Sequence, residues 1–462
     1  MEQAMGEIPA SIFKAYDIRG IVGETLTGDI VYHIGRAIAS EAHARGQRRI
    51  AVGRDGRLSG PAFAAALSRG IQDAGLDVID IGRVPSPILY YATHTQGTRT
   101  GIMVTGSHNP PDYNGFKIVI DGEAISGEDI QALKRRIEQR DYSSGAGTRT
   151  ERDIIPGYIQ RIVDDVRPGR SFKLVVDCGN GVAGVAAPQL LRELGSEVIE
   201  LFCEVDGNFP NHHPDPGQPE NLVDVIEAVK REGADLGLAF DGDGDRLGVI
   251  DPAGNVIWPD RQMMLYAADI LSRHPGATII YDVKCTRHLG KVIAEHGGNP
   301  LMWKTGHSLV KAKMKETDAL LAGEMSGHIF FKERWYGFDD ALYTAARLLE
   351  ILARDARGIT EIFAALPDAV STPELRVDMK EGEHFKFMER FIAQARFPGA
   401  GITTIDGIRA DFDDGWGLIR PSNTTPSLII RFEADNAEAL ARIQDAFRRA
   451  ILAVDDSLTL PF

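Results

Sequence analysis

The sequence predicts an α/β protein of three similar α/β domains with mixed sheets, followed by a smaller C-terminal α+β domain. Three observations carry this. A β-rich run ending in a polar loop occurs three times, as RRIAVGRDGR (48–57), FKLVVDCGNG (172–181) and ATIIYDVKCT (277–286). Each is followed by a second such run: GIMVTGSHN (101–109), LGLAFDGDGD (236–245) and ALLAGEMSGH (319–328). Helix-like segments such as GPAFAAALSRGIQDAG (60–75) and GVAAPQLLRELG (184–195) lie between them. Short apolar strands alternating with amphipathic helices pack as parallel or mixed sheets.

In chain order, the first domain spans 1–150 and ends in the polar linker DYSSGAGTRTERD (141–153). The second, 151–255, closes on DPAGN (251–255), a turn between two short strands. The third, 256–368, runs out in ALPDAVSTPELRVD (365–378). The fourth, 369–462, differs in pattern: strands such as GLIRPSN and SLIIRFEA precede one final helix. Leu440, Ile443, Phe447 and Ile451 recur there at helical spacing, and Asn436 or Asp435 serves as cap. Ligands of such sheets bind beyond the carboxyl ends of the strands, where all six polar loops fall.

A chain of 462 residues exceeds one ordinary core. Its 43% apolar and 25% charged residues are those of a soluble globular protein. A net charge of −15 argues against nucleic acid, whose binding needs a basic face, and Arg48–Arg49 and Lys134–Arg136 read as solvated helix ends. Three separated cysteines, Cys178, Cys203 and Cys285, predict a reducing compartment without a disulfide framework. The N-terminus MEQAMGEIPASIFKAYD lacks the pattern of a signal peptide, and no apolar run is long enough to span a bilayer. The expectation is a cytoplasmic protein.

Asp241, Asp243 and Asp245 stand at every second residue in DGDGD. Such a group repels itself unless a cation sits within it. An EF-hand fails, because its sixth position is Arg246 and its twelfth Pro252. Mg²⁺ is the expected ion, because a substrate phosphate can complete its shell. Arg246 either faces the same anion or pairs with one aspartate. Ser107 follows another buried strand in TGSHNP. It is not a hydrolase elbow, since Thr105 and Asn109 replace the glycines, and no Walker A sequence occurs. A serine that carries phosphate fits, with His108 and Lys117 as nearby cations, although a structural role suits His108 nearly as well. Gly179, Gly181 and Gly184 form G-x-G-x-x-G with Glu204 twenty residues on; polar Asp177 and Asn180 argue for loop packing over dinucleotide binding. His212 and His213, in a proline-rich stretch without Cys or His partners, read as a loop rather than a zinc site.

TGSHNP, DGDGDR, GEMSGH and RPSNTTP, in this order and with KAYDIRG near the start, resemble the α-D-phosphohexomutase superfamily. Within it the chain is similar to the bacterial phosphomannomutase/phosphoglucomutase group, over essentially its whole length. The resemblance implies four domains around a central cleft. It makes Ser107 a phosphoserine that, with Asp241, Asp243 and Asp245, binds Mg²⁺. It assigns Glu324, Ser326 and His328 to the sugar, and Arg420, Ser422, Asn423 and Thr424 to the substrate's non-transferring phosphate. Tyr16, Arg19, Lys117, Lys284 and His307 match cleft positions. Arg19, His108 and Lys117 become acid/base candidates, and Arg246 a neutraliser of the transferring group.

The implied reaction is reversible transfer between hexose 1-phosphate and hexose 6-phosphate through a hexose 1,6-bisphosphate, with glucose 1,6-bisphosphate as activator. The alternatives are a phosphoglucosamine mutase, against which Met325 argues by resemblance, or a phosphosugar-binding protein without turnover. The expected partners are small phosphosugars, with neither nucleic acid nor membrane, and the expected state is a monomer.

Overall fold

The structure is a computed structural model describing residues 8–462. The first seven residues of the N-terminal segment weighed for a leader lie outside the described residues.

Three sheets repeat one plan. In the first, the strands run in the order Ile18–Ile21, Tyr113–Ile120, Gly101–Val104, Arg49–Arg54, Asp77–Arg83 and Arg149–Glu151, with Glu123–Ala124 paired to Tyr113–Ile120. In the second, the order is Val256–Ile257, Leu247–Ile250, Leu236–Phe240, Lys173–Asp177, Glu197–Leu201. In the third, it is Asn299–Trp303, Thr278–Asp282, Leu321–Gly323, Ile329–Phe331. Each has parallel inner strands and then an antiparallel neighbour reached through a polar loop: Gly101–Val104 to Tyr113–Ile120, Leu236–Phe240 to Leu247–Ile250, Leu321–Gly323 to Ile329–Phe331. The inner strands carry unbroken apolar runs because helices cover both faces; all five residues of Leu236–Phe240 are buried.

The fourth sheet is antiparallel throughout: Val370–Ser371, Ser427–Ala434, Gly415–Pro421, Ile408–Phe412 and Gly401–Thr403, with Leu375–Asp378 also on Ser427–Ala434. Helices Glu383–Gln394 and Ala437–Val454 pack against it. Asn436 caps the last helix by accepting from the Ala439 N–H at 2.9 Å. Ile443, Phe447 and Ile451 are fully buried, while Leu440 is only partly so.

Local chemistry shifts some expected elements. The helix expected over 184–195 is a 3₁₀ turn, Val182–Val185, followed by Ala187–Glu193, because Pro188 suits only the first helical turn. The polar run 141–153 contains the edge strand Arg149–Glu151, paired with Asp77–Arg83. Its residues are exposed, so no apolar signal marks it. The run 365–378 likewise holds two strands of the fourth sheet.

One apolar core is continuous through the first three sheets, from Ala51 and Tyr90 through Leu174 and Phe240 to Leu321 and Phe363. The fourth sheet has its own, centred on Phe387, Phe432 and Phe447. It docks on the third domain through Arg409, which donates to the Val283 and Cys285 carbonyls at 2.7 and 2.8 Å and stacks on Trp416. Phe447 stacks on Phe397 at 4.3 Å and lies over Gly417, where any side chain would strike its ring. Phe447→Ala is expected to destabilise the fourth domain by about 3–5 kcal/mol. Differential scanning calorimetry should show its transition falling while that of the first three domains stays in place.

Candidate active site

The buried strand Gly101–Val104 ends at Thr105-Gly106-Ser107. Ser107 is buried and takes a left-handed φ of 50°, a conformation that costs a non-glycine residue roughly 1–2 kcal/mol. Its N–H donates to Thr105 Oγ1 at 2.8 Å, and its carbonyl accepts from Arg57 Nη2 at 2.9 Å. The hydroxyl Oγ lies 3.2 Å from His108 Nδ1 and 3.3 Å from Asp241 Oδ2.

The aspartate loop comes from the second sheet and meets the serine backbone directly. A Cβ on Gly242 would lie 2.3 Å from the Ser107 carbonyl oxygen, so any side chain there would part the two loops. Asp241, Asp243 and Asp245 are all fully buried. Lys117, on the antiparallel strand of the first sheet, reaches Asp243 at 2.6 Å and Asp245 at 2.5 Å. Burial alone would lower the lysine pKa; the two carboxylates hold it well above the usual value. Burial, then Asp243 and Asp245, pushes the Asp241 carboxyl up to about 7. Burial and Asp243 also raise Asp245, whereas at Asp243 the Lys117 ammonium overcomes burial and holds the carboxyl below its usual range. Asp243 Oδ1 and Asp245 Oδ1 are buried without a hydrogen-bond partner among the described residues. Three carboxylates within 4.8 Å of one another, two with unused oxygens, are a donor set for a hard divalent cation.

Arg246 brackets the same loop. Its Nε lies 3.2 Å from Asp241 Oδ2, its Nη1 3.3 Å from Asp215 Oδ1, and its Nη2 against His108 Nδ1. Burial and this guanidinium push His108 well below the ordinary imidazole value, leaving it neutral. His328, from the third domain, brings Nδ1 to 3.0 Å from Asp339 and 3.5 Å from Asp245. Arg19 pairs with Asp17 and touches Asn109 of the serine loop.

A second group gathers beside the first. The Glu324 carboxylate accepts from the Gly306 N–H, and burial pushes its pKa up to about 7. His307 meets Tyr16 edge-on at 5.3 Å and His328 at 5.7 Å. Burial raises the Tyr16 phenol to about 12. Lys284 donates to Glu374 across the third and fourth domains at 2.9 Å. Arg420 Nε donates to Asp406 at 2.9 Å, while its buried Nη2 has no hydrogen-bond partner among the described residues. Ser422 Oγ accepts from the N–H groups of Thr424 and Thr425 at 3.3 and 3.2 Å, forming a tight turn. Ser326 and Asn423 are half-buried and form no side-chain hydrogen bond among the described residues.

The structure thus joins Ser107, His108, Lys117, Arg246, His328 and the three aspartates in one network, with Tyr16, His307, Glu324 and Arg420 adjoining it. Sequence reasoning missed Asp55, Arg57, Ser86, Asp215 and Asp339. The first two stand in GRDGR, singled out only as a repeat, and Asp215 stands in the proline-rich loop. Ser86, whose hydroxyl and N–H both meet Asp243, and Asp339 carried no signal. The G-x-G-x-x-G glycines serve close approach: a Cβ on Gly181 would meet Gly242, and one on Gly184 the Cys203 carbonyl at 2.0 Å. His212 binds Asp177 at 3.0 Å, fastening the proline-rich loop to the strand end.

Comparison with known proteins agrees with this four-part arrangement. Residues 10–144, 156–254 and 258–370 match α/β/α domains I, II and III of phosphoglucomutase/phosphomannomutase, and residues 374–450 match its C-terminal domain. The chain belongs to the phosphoglucomutase/phosphomannomutase family, within the α-D-phosphohexomutase superfamily. It is 59% identical over 455 residues to a phosphomannomutase/phosphoglucomutase of Pseudomonas aeruginosa, covering 98% of both chains. It is 54% identical to a phosphoglucomutase of Neisseria gonorrhoeae, over 97% of this chain and 98% of that one. A crystal structure of a phosphoglucomutase/phosphomannomutase family protein from Burkholderia thailandensis superposes with a TM-score of 0.94 at 55% identity, covering 99% of this chain and all of the other. Among the described residues no helix is long and apolar enough to cross a membrane.

A proton and a divalent cation would compete for Asp241. Because its carboxyl titrates at about 7, Mg²⁺ affinity is expected to be level above that pH. Below it, affinity should fall up to about tenfold per pH unit. Isothermal titration across this range checks it; an unchanged affinity at acid pH would refute the raised pKa.

Proposed function

We propose that this chain interconverts hexose 1-phosphates and hexose 6-phosphates of both mannose and glucose, with Ser107 carrying the phosphoryl group. The observation that carries the reading is the Ser107 hydroxyl, 3.3 Å from a buried triad of carboxylates supplied by another domain. The names of the relatives, phosphomannomutase/phosphoglucomutase and phosphoglucomutase, support the substrates.

In the forward direction the bond from phosphorus to Ser107 Oγ breaks as phosphorus bonds to the 6-hydroxyl oxygen of a hexose 1-phosphate. The product is a hexose 1,6-bisphosphate, and the hydroxyl proton leaves to a base. Arg19, His108 and Lys117 are the candidates for that proton; His108 lies 3.2 Å from Oγ, whereas Lys117 is committed to two carboxylates. The bisphosphate reorients, its 1-phosphoryl returns to Ser107, and hexose 6-phosphate departs. Glucose 1,6-bisphosphate would prime an unphosphorylated Ser107 by the same transfer. Asp241, Asp243 and Asp245 would hold Mg²⁺, which would supply charge neutralisation for the transferring phosphoryl group. Arg246 adds a fixed guanidinium beside the same loop, and Arg19 lies against the serine loop through Asn109.

The substrate's other phosphate goes to Arg420, with Ser422, Asn423 and Thr424 forming the cup. A buried guanidinium nitrogen without a partner is the observation behind this assignment. Tyr16, Lys284, His307, Glu324, Ser326 and His328 face the sugar hydroxyls. The separate core of the fourth domain suits a clamp that opens while the intermediate turns. A monomer in the cytoplasm completes the reading; three buried free thiols accord with a reducing compartment.

Ser107→Ala is expected to abolish conversion of glucose 1-phosphate and mannose 1-phosphate, followed by phosphorus NMR with Mg²⁺ and glucose 1,6-bisphosphate, while the thermal transition is unmoved. Normal turnover in that variant would end the proposal. Arg420→Ala removes charge-assisted hydrogen bonds worth about 1.5–3 kcal/mol, so KM should rise about 10- to 100-fold.

A further inference from the structure

Behind the serine loop lies a buried ion pair that touches no reacting group. Arg57 is only 1% exposed, yet among the described residues its guanidinium forms no hydrogen bond to a side chain. Nη2 donates to the carbonyls of Ser107 at 2.9 Å and Asn109 at 2.6 Å, and Nη1 to those of Tyr113 at 2.8 Å and Pro110 at 2.5 Å. Four carbonyls therefore converge on one planar cation, and 107–113 is bent into an arc around it. Gly106 lets the guanidinium lie flat beneath the arc: a Cβ there would sit 2.4 Å from Arg57 Cζ.

Asp55 completes the device. Its Oδ2 lies 3.3 Å from Arg57 Nε and accepts from the Thr105 hydroxyl at 2.7 Å and the Gly106 N–H at 3.2 Å. Thr105 Oγ1 in turn accepts the Ser107 N–H at 2.8 Å. Both backbone polar groups of Ser107 are thus tied to the pair, the carbonyl directly and the N–H through one hydroxyl. The pair carries no net charge, so its effect is not neutralisation of the phosphoryl group. It resists relaxation of a residue held at φ 50°.

We infer that the buried Asp55–Arg57 pair is a positioning device for phosphoryl transfer, keeping the Ser107 hydroxyl on the aspartate loop. This rests on the reading of Ser107 as the phosphoryl carrier. Misplacement of a nucleophile by about 1 Å costs on the order of 100-fold in rate, without weakening substrate binding elsewhere. Arg57→Lys keeps the charge, but a single ammonium cannot serve four carbonyls set around a planar fork. Thr105→Val keeps the ion pair and removes only the hydroxyl relay.

The test measures kcat and KM for glucose 1-phosphate, the single-turnover rate of Ser107 phosphorylation by glucose 1,6-bisphosphate from intact mass, and the thermal transition. Each variant is expected to lose about 10- to 100-fold in kcat and in Ser107 phosphorylation, with KM within about twofold of the original chain. Arg347→Lys is the control. That arginine is also fully buried, but it binds Glu333 and Asp269 outside the cleft, so it should lower the transition and leave kcat unchanged. Unaltered kcat in folded Arg57→Lys and Thr105→Val would overturn the inference, as would an equal kcat loss in Arg347→Lys. If Arg57→Lys does not fold, Thr105→Val decides. Absence of turnover in the unsubstituted protein would instead strike the reading of Ser107 itself.

Discussion

Three carboxylates buried on one short loop set the problem that the surrounding structure answers. With oxygens within 4.8 Å of one another, each charged pair would repel by about 3.5 kcal/mol or more at an effective dielectric constant of about 20, and all three are fully buried. Compensation comes from several directions. Lys117 arrives from the first sheet, Arg246 from the loop itself and His328 from the third domain, while Asp241 takes a proton near neutrality. Docking of three domains is therefore an electrostatic requirement as well as a packing one. The apolar core accordingly runs through all three without a break.

The same topological position is used three times with different chemistry. In each of the first three sheets the polar loop between an inner parallel strand and its antiparallel neighbour carries the functional side chains. The first displays a hydroxyl, the second carboxylates, the third the Glu324, Ser326 and His328 set. The loops after the preceding strands carry the supports: Asp55 and Arg57, the Asp177–Gly181 turn, and Lys284. A repeated scaffold thus fixes where reactive groups can stand, and only the loop residues decide what stands there.

This division explains what could be read from the chain. Repeated apolar runs of strand length, each closed by a polar loop, marked the three α/β units, because burial on both faces leaves nothing but apolar residues in such strands. DGDGD was legible because like charges at that spacing demand compensation. Arg149–Glu151 was not, since an exposed edge strand carries no hydrophobic period. Nor was the work of Arg57, which binds backbone carbonyls some 50 residues away and therefore leaves no trace in side-chain pattern. Lys117 was foreseen only as a cation near the serine; its grip on Asp243 and Asp245 depends on residues about 130 positions distant. The helix begun late at Ala187 was foreshadowed by Pro188, whose effect on the boundary the apolar pattern masked.

The close approach of Gly242 to the Ser107 carbonyl has a consequence for the order of events in synthesis. The serine leaves the ribosome early, but its hydroxyl cannot meet the aspartate loop until the chain has grown past residue 245. Until that later segment is made and folds back, the serine loop lacks the neighbour that packs on its carbonyl. The two loops can meet only after one stage of translation, and a chain that stops between them lacks the carboxylates beside which its serine stands.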